Sequence, residues 1–269
     1  MQLFKNIIIG VESKLITLDI FYDILTPQPV IIYAHGFNGF KDWGNFDLIA
    51  NQFAQAGFTF IKFNFSHNGT TPDKPQEFVD PEAYGNNNYT IELDDLQTVI
   101  EWTLHTENEH KVAIDTNKIY LIGHSRGGGI VLIKATEEPR IKSIATWASV
   151  AECKTPWGNW QQQRMENWKA TRVEYYTNSR TKQQLPLYYQ LYQDYEQNKR
   201  RLNVLQSVQR LNIPLLICHG TGDDAVPVAS AYALHAACKS SELFLVESDH
   251  VFGRKHPWND KELPQPMKA

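Results

Sequence analysis

Residues 118–135 read KIYLIGHSRGGGIVLIKA, and the order of residue types in this stretch decides the fold class. An apolar run typical of a buried strand ends at Gly123, and a second run, typical of a helix, starts at Gly127. Between them, the pattern Gly123-x-Ser125-x-Gly127 is typical of a tight strand-to-helix turn that exposes a serine hydroxyl for chemistry. An ordinary glycine-rich turn is the alternative interpretation. The Gly-x4-Gly-Lys pattern of a phosphate-binding loop is absent from this stretch.

Strand-like and helix-like patterns alternate along the rest of the chain. Short apolar or β-branched runs predict strands at 4–11, 15–24, 30–36, 58–65, 118–123, 141–150, 213–220 and 242–248. Amphipathic spacing predicts helices at 46–57, 90–104, 127–138 and 229–239, with Thr90 as the N-cap of the second. This alternation predicts an α/β protein with a doubly wound, mostly parallel sheet.

One long segment interrupts the alternation. Residues 152–210 combine many tryptophans and tyrosines with glutamines and charges, and they show no buried-strand pattern. We therefore predict a core of residues 1–151 and 211–269 with a helical cap inserted at 152–210. The aromatic residues of the cap either wall an apolar pocket or hold the insert together.

Length, charge and cysteine usage bound the class of protein. The chain has 269 residues, which fits one large α/β domain, and its net charge of -4 with no polybasic run gives no indication of a nucleic-acid or membrane partner. No window reaches the run of about 18 apolar residues that a membrane span needs, and the N-terminus lacks the features of a signal peptide. The three cysteines are widely spaced, which favours reduced thiols and a cytoplasmic location.

A serine nucleophile needs a base, and the base needs an orienting carboxylate. Asp223 and Asp224 follow the predicted strand 213–220, and His250 follows the last predicted strand. Carboxyl ends of parallel strands meet at one edge of a sheet, so these residues are expected near Ser125. Their order along the chain, serine then acid then histidine, is the one expected when the serine lies on a strand-to-helix turn of such a sheet.

Other polar residues give weaker candidates. His256 is the rival base, but no strand precedes it, and Asp249 is interpreted as a solvated neighbour of His250. His35 and His219 each end a strand before glycine, and they are interpreted as shaping turns. No His-x3-His or Cys-x2-Cys spacing is present, so neither a metal nor another cofactor is predicted.

Acyl-transfer chemistry also needs hydrogen-bond donors for the oxyanion. One is expected to be the backbone N–H after the nucleophile, which is that of Arg126. The other is expected from the loop after strand 30–36, where Phe37 follows a His-Gly pair. Both are main-chain groups, so the Arg126 side chain has no assigned role.

Four motifs resemble the α/β-hydrolase superfamily over essentially the full chain: HGF at 35–37, GHSRGG at 123–128, HGTGDDAVP at 219–227 and DHVF at 249–252. Within it, the chain looks most like the dienelactone hydrolase-like and cinnamoyl (feruloyl) esterase branch. In that branch the acid is the fifth residue of His-Gly-x-x-Asp-x-x-Val-Pro, which implies Asp223 rather than Asp224. The resemblance implies an α/β-hydrolase fold.

Two departures from the family pattern stand out. The loop FNFSHNGTT at 63–71 replaces the more usual Gly-x-Gly-x-Ser loop. The family also usually adds a final helix after the histidine, of which residues 260–269 would be a beginning at most. Without that helix, apolar sheet surface is expected to be exposed.

The motifs and the resemblance together predict a serine carboxylesterase acting on small or aromatic-acyl esters, with a small-molecule ester as its partner. They do not predict the oligomeric state. Two alternatives remain. The first is a serine aminopeptidase-like or other amide or thioester hydrolase, and the second is a non-catalytic binding protein of the same fold. The adjacent cations Arg254 and Lys255 either attract an anionic substrate or are a solvated charge pair.

Overall fold

Eight strands form one central sheet in the computed structural model, which describes residues 2–268. The strands are β1 Gln2–Ile9, β2 Leu15–Tyr22, β3 Gln28–Ala34, β4 Thr59–Phe63, β5 Ile114–His124, β6 Ile141–Trp147, β9 Leu215–Gly220 and β10 Ser241–Val246. Their order across the sheet is β1-β2-β4-β3-β5-β6-β9-β10; β2 runs antiparallel to β1 and β4, and all other neighbours in the sheet are parallel. The predicted mostly parallel, doubly wound sheet is confirmed.

Helices connect the strands and cover the sheet. They are α1 Phe46–Gln55, α2 Pro81–Asn86, α3 Tyr89–Leu104, α4 Arg126–Glu137, α5 Gln162–Thr171, α6 Gln190–Gln197, α7 Val204–Gln209 and α8 Ala229–Ala237. No helix within residues 2–268 is both long enough and apolar enough to cross a membrane.

Strand β3 shows why continuous apolar runs predict a sheet buried on both faces. Val30 and Ile32 belong to the apolar cluster on one face, whereas Ile31 and Tyr33 belong to the cluster on the other. Successive side chains of a strand point to opposite faces, so both faces of β3 must be covered. Covered faces leave the loops at the strand ends as the place for chemistry.

The segment 152–210 lies between β6 and β9. It contains α5, α6 and α7, together with an antiparallel hairpin of β7 (Val173–Thr177) and β8 (Gln184–Tyr188) that the sequence did not predict. Each strand has only five residues and β8 contains a proline, which weakens a strand signal. The division into core and cap stays a prediction, and its ends at Met1 and Ala269 lie outside the described residues.

Aromatic rings of this segment pack mainly against one another. Trp168 is completely buried, and its ring centroid lies 6.1 Å from that of Trp157 and 5.3 Å from that of Tyr189. Trp157 also contacts the ring of Tyr195 at 5.7 Å. These rings form the interior of the segment, which favours the interpretation that they hold the insert together.

The start of α3 differs from the sequence prediction. Asn88, rather than Thr90, is the N-cap, because the Asn88 side chain accepts a hydrogen bond from the Ile91 N–H at 2.9 Å. The Thr90 hydroxyl instead donates to Asp194 of α6 at 2.5 Å. Both residue types are good N-caps, so the sequence alone does not choose between them.

The face of the sheet that packs on α1 is only partly covered beyond β5. No α-helix follows β10 within the described residues, and Phe252 and Leu263 pack there instead. A groove of about 530 Å³ lies on this face, and Leu216 and Phe244 remain 39% and 38% exposed. The expected exposure of apolar sheet surface is thus present.

Candidate active site

Ser125 occupies the turn between β5, which ends at His124, and α4, which begins at Arg126. Its φ of 56° and ψ of -120° lie in a region that residues with a side chain rarely adopt. A Cβ on Gly123 would lie 2.3 Å from the carbonyl oxygen of Gly127, so only glycine fits there. The local sequence therefore folds into the tight turn that it predicts, and the turn lifts Ser125 above the sheet edge.

Two further candidate residues follow the carboxyl ends of β9 and β10. Asp223 lies in the loop after β9 and His250 in the loop after β10, and His250 Nδ1 is 2.7 Å from Asp223 Oδ2. The other carboxylate oxygen of Asp223 accepts the backbone N–H groups of Ala225 and Val226 at 2.9 and 2.8 Å. The structure thus brings the predicted acid and base into contact in a fixed orientation.

The surroundings of Asp223 keep it ionised. Burial alone would raise the pKa of this carboxyl group, but hydrogen bonds from His219, His250 and the Val226 N–H hold the pKa well below its usual value. His219 Nε2 lies 3.2 Å from Asp223 Oδ2, a contact that the sequence did not predict. Its sequence signals are its place at the end of β9 and at the first position of the HGTGDDAVP motif.

The rival candidates lie in other environments. Asp224 is exposed, and the Asp249 side chain accepts the N–H groups of Val251 and Gly253, which caps the turn after β10. His256 Nδ1 accepts the Gly44 N–H at 2.9 Å and forms no ion pair with a carboxylate among residues 2–268. The geometry therefore favours Asp223 as the acid and His250 as the base.

His124 links the serine turn to the loop of the base. Its Nε2–H donates to the backbone oxygen of His250 at 2.9 Å, and the two imidazole rings lie 4.8 Å apart. Burial lowers the pKa of His124 well below its usual value, so the ring is neutral. Among the described residues, Ser125 Oγ and the His250 ring share no hydrogen bond. Such contacts are often long before a substrate binds.

The two predicted oxyanion donors flank Ser125. A Cβ on Gly36 would lie 2.9 Å from the Cβ of Ser125, so the loop after β3 runs directly past the serine. Within residues 2–268, the N–H of Phe37 donates to no other group, and Arg126 is the first residue of α4, where helical N–H groups have no partner. Both N–H groups are free to bind an oxygen atom.

A buried group of charges fixes the far end of this loop. Lys41 Nζ lies 2.6 Å from Asp19 Oδ2 and 2.8 Å from Asp42 Oδ2, and Lys62 of β4 contacts the same two carboxylates. Burial would raise the pKa of Asp42, but Lys62 and Lys41 lower it to about 2. These lysines neutralise the carboxylates and tie the loop that carries Phe37 to β2 and β4.

His35 supports the same loop as a neutral imidazole. Its Nδ1–H donates to the carbonyl oxygen of Gly36 at 2.9 Å. Burial lowers the pKa of His35 to about 4. Because this pKa lies below that of the unfolded chain, the neutral ring contributes stability above about pH 6.5, and that stability is lost as the pH falls toward 4.

We expect a His35→Gln variant to reveal how much His35 contributes to the pH dependence of the free energy of unfolding. The glutamine amide keeps a hydrogen-bond donor and an acceptor but does not titrate. Between about pH 7 and pH 5, the free energy of unfolding of the wild type should fall by about 2 kcal/mol more than that of the variant. Urea denaturation at both pH values measures the difference. Equal losses in the two proteins would show that folding does not lower the pKa of His35.

The side chains of two arginines are buried, although charged side chains are usually exposed. Arg126 is 1% exposed, its Nε donates to Glu92 at 2.9 Å, and its guanidinium lies 3.9 Å from the ring centroid of Tyr89. Arg254 is 4% exposed, with Phe46 as its nearest ring at 4.6 Å. The prediction that Arg254 belongs to a solvated charge pair is therefore wrong, because aromatic rings and not water surround it.

A comparison with known families agrees with this geometry. The sequence profile of the alpha/beta hydrolase fold matches residues 29–209, which is more than half of the chain. The chain belongs to the α/β-hydrolase fold family. The resemblance to the superfamily inferred from the motifs is thereby confirmed. Ser125 lies within the matched residues, and Asp223 and His250 follow them.

Individual relatives of this α/β-hydrolase are distant. An uncharacterized 31.7 kDa protein of Escherichia coli is 30% identical over 125 residues, which is 46% of this chain and only 38% of that protein. The esterase domain of a Rhodothermus marinus protein is 17% identical, covers 94% and 91% of the two chains and has a TM-score of 0.62. Est1E of Butyrivibrio proteoclasticus, solved with ferulic acid bound, is 18% identical, covers 93% and 92%, and has a TM-score of 0.66. At such identities the structural likeness shows a common fold.

Proposed function

We propose that this protein is a serine hydrolase that cleaves carboxylic esters of small acyl groups, with Ser125, His250 and Asp223 as its catalytic groups. The observation that carries the proposal is Ser125 at a positive φ on the turn between β5 and α4, at the sheet edge where His250 and Asp223 meet. Strained backbone of this kind costs stability and persists at functional sites.

The first half of the proposed reaction forms an acyl-enzyme. His250 Nε2 takes the proton of Ser125 Oγ while the oxygen attacks the ester carbonyl carbon. The developing oxyanion binds the N–H groups of Phe37 and Arg126, which are aimed before the substrate arrives. Asp223 keeps the proton of His250 on Nδ1, so that Nε2 is free to accept.

The second half releases the acid. The protonated His250 gives its proton to the leaving alcohol, and the carbon–oxygen bond of the ester breaks. His250 then takes a proton from water, whose oxygen attacks the acyl carbon. The bond between that carbon and Ser125 Oγ breaks, and His250 returns the proton to Oγ as the acid leaves. The carboxylate of Asp223 stabilises the positive charge on the imidazolium in both steps.

A covalent probe tests the nucleophile. A fluorophosphonate is expected to label the wild type at Ser125, and labelling should disappear in Ser125→Ala but persist in Ser240→Ala, where the changed serine is exposed and distant. Intact-protein mass spectrometry measures the added mass. Absence of labelling in folded wild-type protein would contradict the proposal and favour a non-catalytic binding protein.

The leaving group decides between the two enzyme classes. An ester hydrolase should turn over p-nitrophenyl esters of short acids and leave aminoacyl-anilides intact. Turnover of the anilides with labelling of Ser125 would favour the peptidase-like alternative on the same residues. Methyl ferulate belongs in the panel, because the aromatic-acyl preference stays open as a prediction.

A further inference from the structure

A small cavity lies beside the two proposed oxyanion donors. Its volume is about 20 Å³, which is room for one water-sized group. Phe37, Tyr84, Asn87, Arg126 and Leu187 of β8 are among the residues that line it. The cavity therefore lies between the core of the protein and segment 152–210.

Three side chains of this cavity carry buried polar atoms without a hydrogen-bond partner among the described residues. They are Arg126 Nη2, Tyr84 Oη and Asn87 Oδ1. Arg126 and Tyr84 are 1% and 5% exposed, so water cannot freely solvate these atoms. Unpaired buried polar groups destabilise a fold, and three at one cavity indicate a ligand group that pairs with them.

Glu92 fixes two of these three side chains. Arg126 Nε donates to one carboxylate oxygen of Glu92 at 2.9 Å, and Asn87 Nδ2 donates to the other at 2.8 Å. Glu92 thereby orients both side chains so that their unpaired atoms are held in place. Its charge also offsets that of Arg126, which favours a neutral group in the cavity over an anion.

A hydroxyl group matches this set of atoms. It accepts one hydrogen bond from the guanidinium of Arg126 and donates another to the amide oxygen of Asn87. Tyr84 can supply a further donor, because burial raises the pKa of its hydroxyl and keeps it protonated. One hydroxyl also fits the cavity volume.

The geometry assigns this hydroxyl to the acyl part of an ester. The base protonates the leaving alcohol, so the alcohol lies on the His250 side of the carbonyl carbon. The cavity is lined by Phe37 and Arg126 but not by Ser125, His250 or Asp223, so only a substituent that extends beyond the carbonyl carbon reaches it. The substituent that extends toward it from the carbonyl carbon is the acyl chain.

We propose that Tyr84, Asn87 and the side chain of Arg126 form a subsite that selects short acyl groups with a hydroxyl on their second or third carbon. This inference rests on the proposed ester hydrolysis at Ser125. The backbone of Arg126 then binds the oxyanion, while its side chain reads the acyl group.

Matched esters of one alcohol test the subsite. Ethyl glycolate is compared with ethyl acetate and ethyl methoxyacetate, and ethyl 3-hydroxybutyrate with ethyl butyrate and ethyl 3-methoxybutyrate. The methoxy esters have a similar electronic effect on the carbonyl but cannot donate a hydrogen bond. For the second carbon, the third carbon or both, we expect kcat/KM for the hydroxy ester to exceed kcat/KM for the unsubstituted ester and for the methoxy ester by about tenfold or more.

A Tyr84→Phe variant removes one unpaired hydroxyl without changing the ring. We expect kcat/KM for the hydroxy ester, relative to that for the unsubstituted ester, to fall by about tenfold in this variant. Tyr232→Phe removes an exposed tyrosine hydroxyl on α8 and should keep the wild-type preference. If Tyr84 were only a packing residue, the ratio of kcat/KM for the hydroxy ester to kcat/KM for the unsubstituted ester would not change.

The outcomes distinguish failure of the proposed subsite from failure of the proposed ester hydrolysis. Equal kcat/KM values for hydroxy and methoxy esters, or an unchanged ratio in Tyr84→Phe, would overturn the subsite while ester turnover continues. Fluorophosphonate labelling of Ser125 without turnover of any hydroxy ester would overturn it as well. Loss of both labelling and turnover in folded wild-type protein would overturn the proposed function itself, and the subsite with it.

Discussion

A Ser125→Gly variant is expected to lose at least about 10⁴-fold in kcat for esters and yet to be more stable than the wild type. The activity is lost because the variant has no nucleophile. Stability rises because glycine adopts the φ of 56° and ψ of -120° at this turn without strain, whereas a residue with a Cβ pays about 1–3 kcal/mol there. Thermal denaturation and ester turnover measure the two effects in one preparation.

Ser125→Ala is the matched control for this result. Alanine also removes the hydroxyl, so the loss of turnover should be the same. It keeps the Cβ, so it should show no comparable gain in stability. If Ser125→Gly unfolded at a lower temperature than Ser125→Ala, the turn would not be strained in the folded protein, and its backbone conformation would not support a catalytic role for Ser125.

An Asp223→Asn variant is expected to lose about 10⁴-fold in kcat. One oxygen of Asp223 accepts the N–H groups of Ala225 and Val226, and these donors would hold the amide oxygen of an asparagine in the same place. The amide NH₂ would then point at His250 Nδ1. It would donate to this nitrogen and leave the proton on Nε2, where it blocks acceptance of the serine proton.

Asp224→Asn is the control for the acid. This neighbouring carboxylate is exposed and makes no contact with His250, so its loss should leave kcat close to the wild-type value. Steady-state kinetics with one good ester substrate measures both variants. Similar losses in the two variants, or a loss below about tenfold in Asp223→Asn, would contradict the assignment of Asp223 as the orienting acid.

The main features of the fold follow from local sequence. Runs such as 30–36 and 118–123 are apolar without alternation, and strands of this kind are buried on both faces of a parallel sheet. Residues that follow such strands must meet at one sheet edge. This geometric rule is why Asp223 and His250 could be paired from the sequence before their contact was seen.

Contacts between residues that are distant in the sequence could not be predicted from the local sequence pattern. Glu92 fits the first turn of a helix by its charge, and nothing in the sequence links it to Arg126, 34 residues away. Arg254 is buried by the rings of Trp43, Phe46 and Trp147, which are all more than 100 residues away in the sequence. Tertiary contacts, and not local pattern, decide the environment of these side chains.

The buried lysines below the loop of Phe37 also affect how the site responds to ionic strength. Dissolved ions screen exposed charges over a Debye length of about 8 Å at physiological salt, but they act weakly on charges that solvent does not reach. Lys41 and Lys62 are 3% and 0% exposed, so salt leaves their attraction to Asp19 and Asp42 nearly unchanged. The loop that carries Phe37, a proposed oxyanion donor, is therefore expected to keep its position in dilute and in concentrated electrolyte.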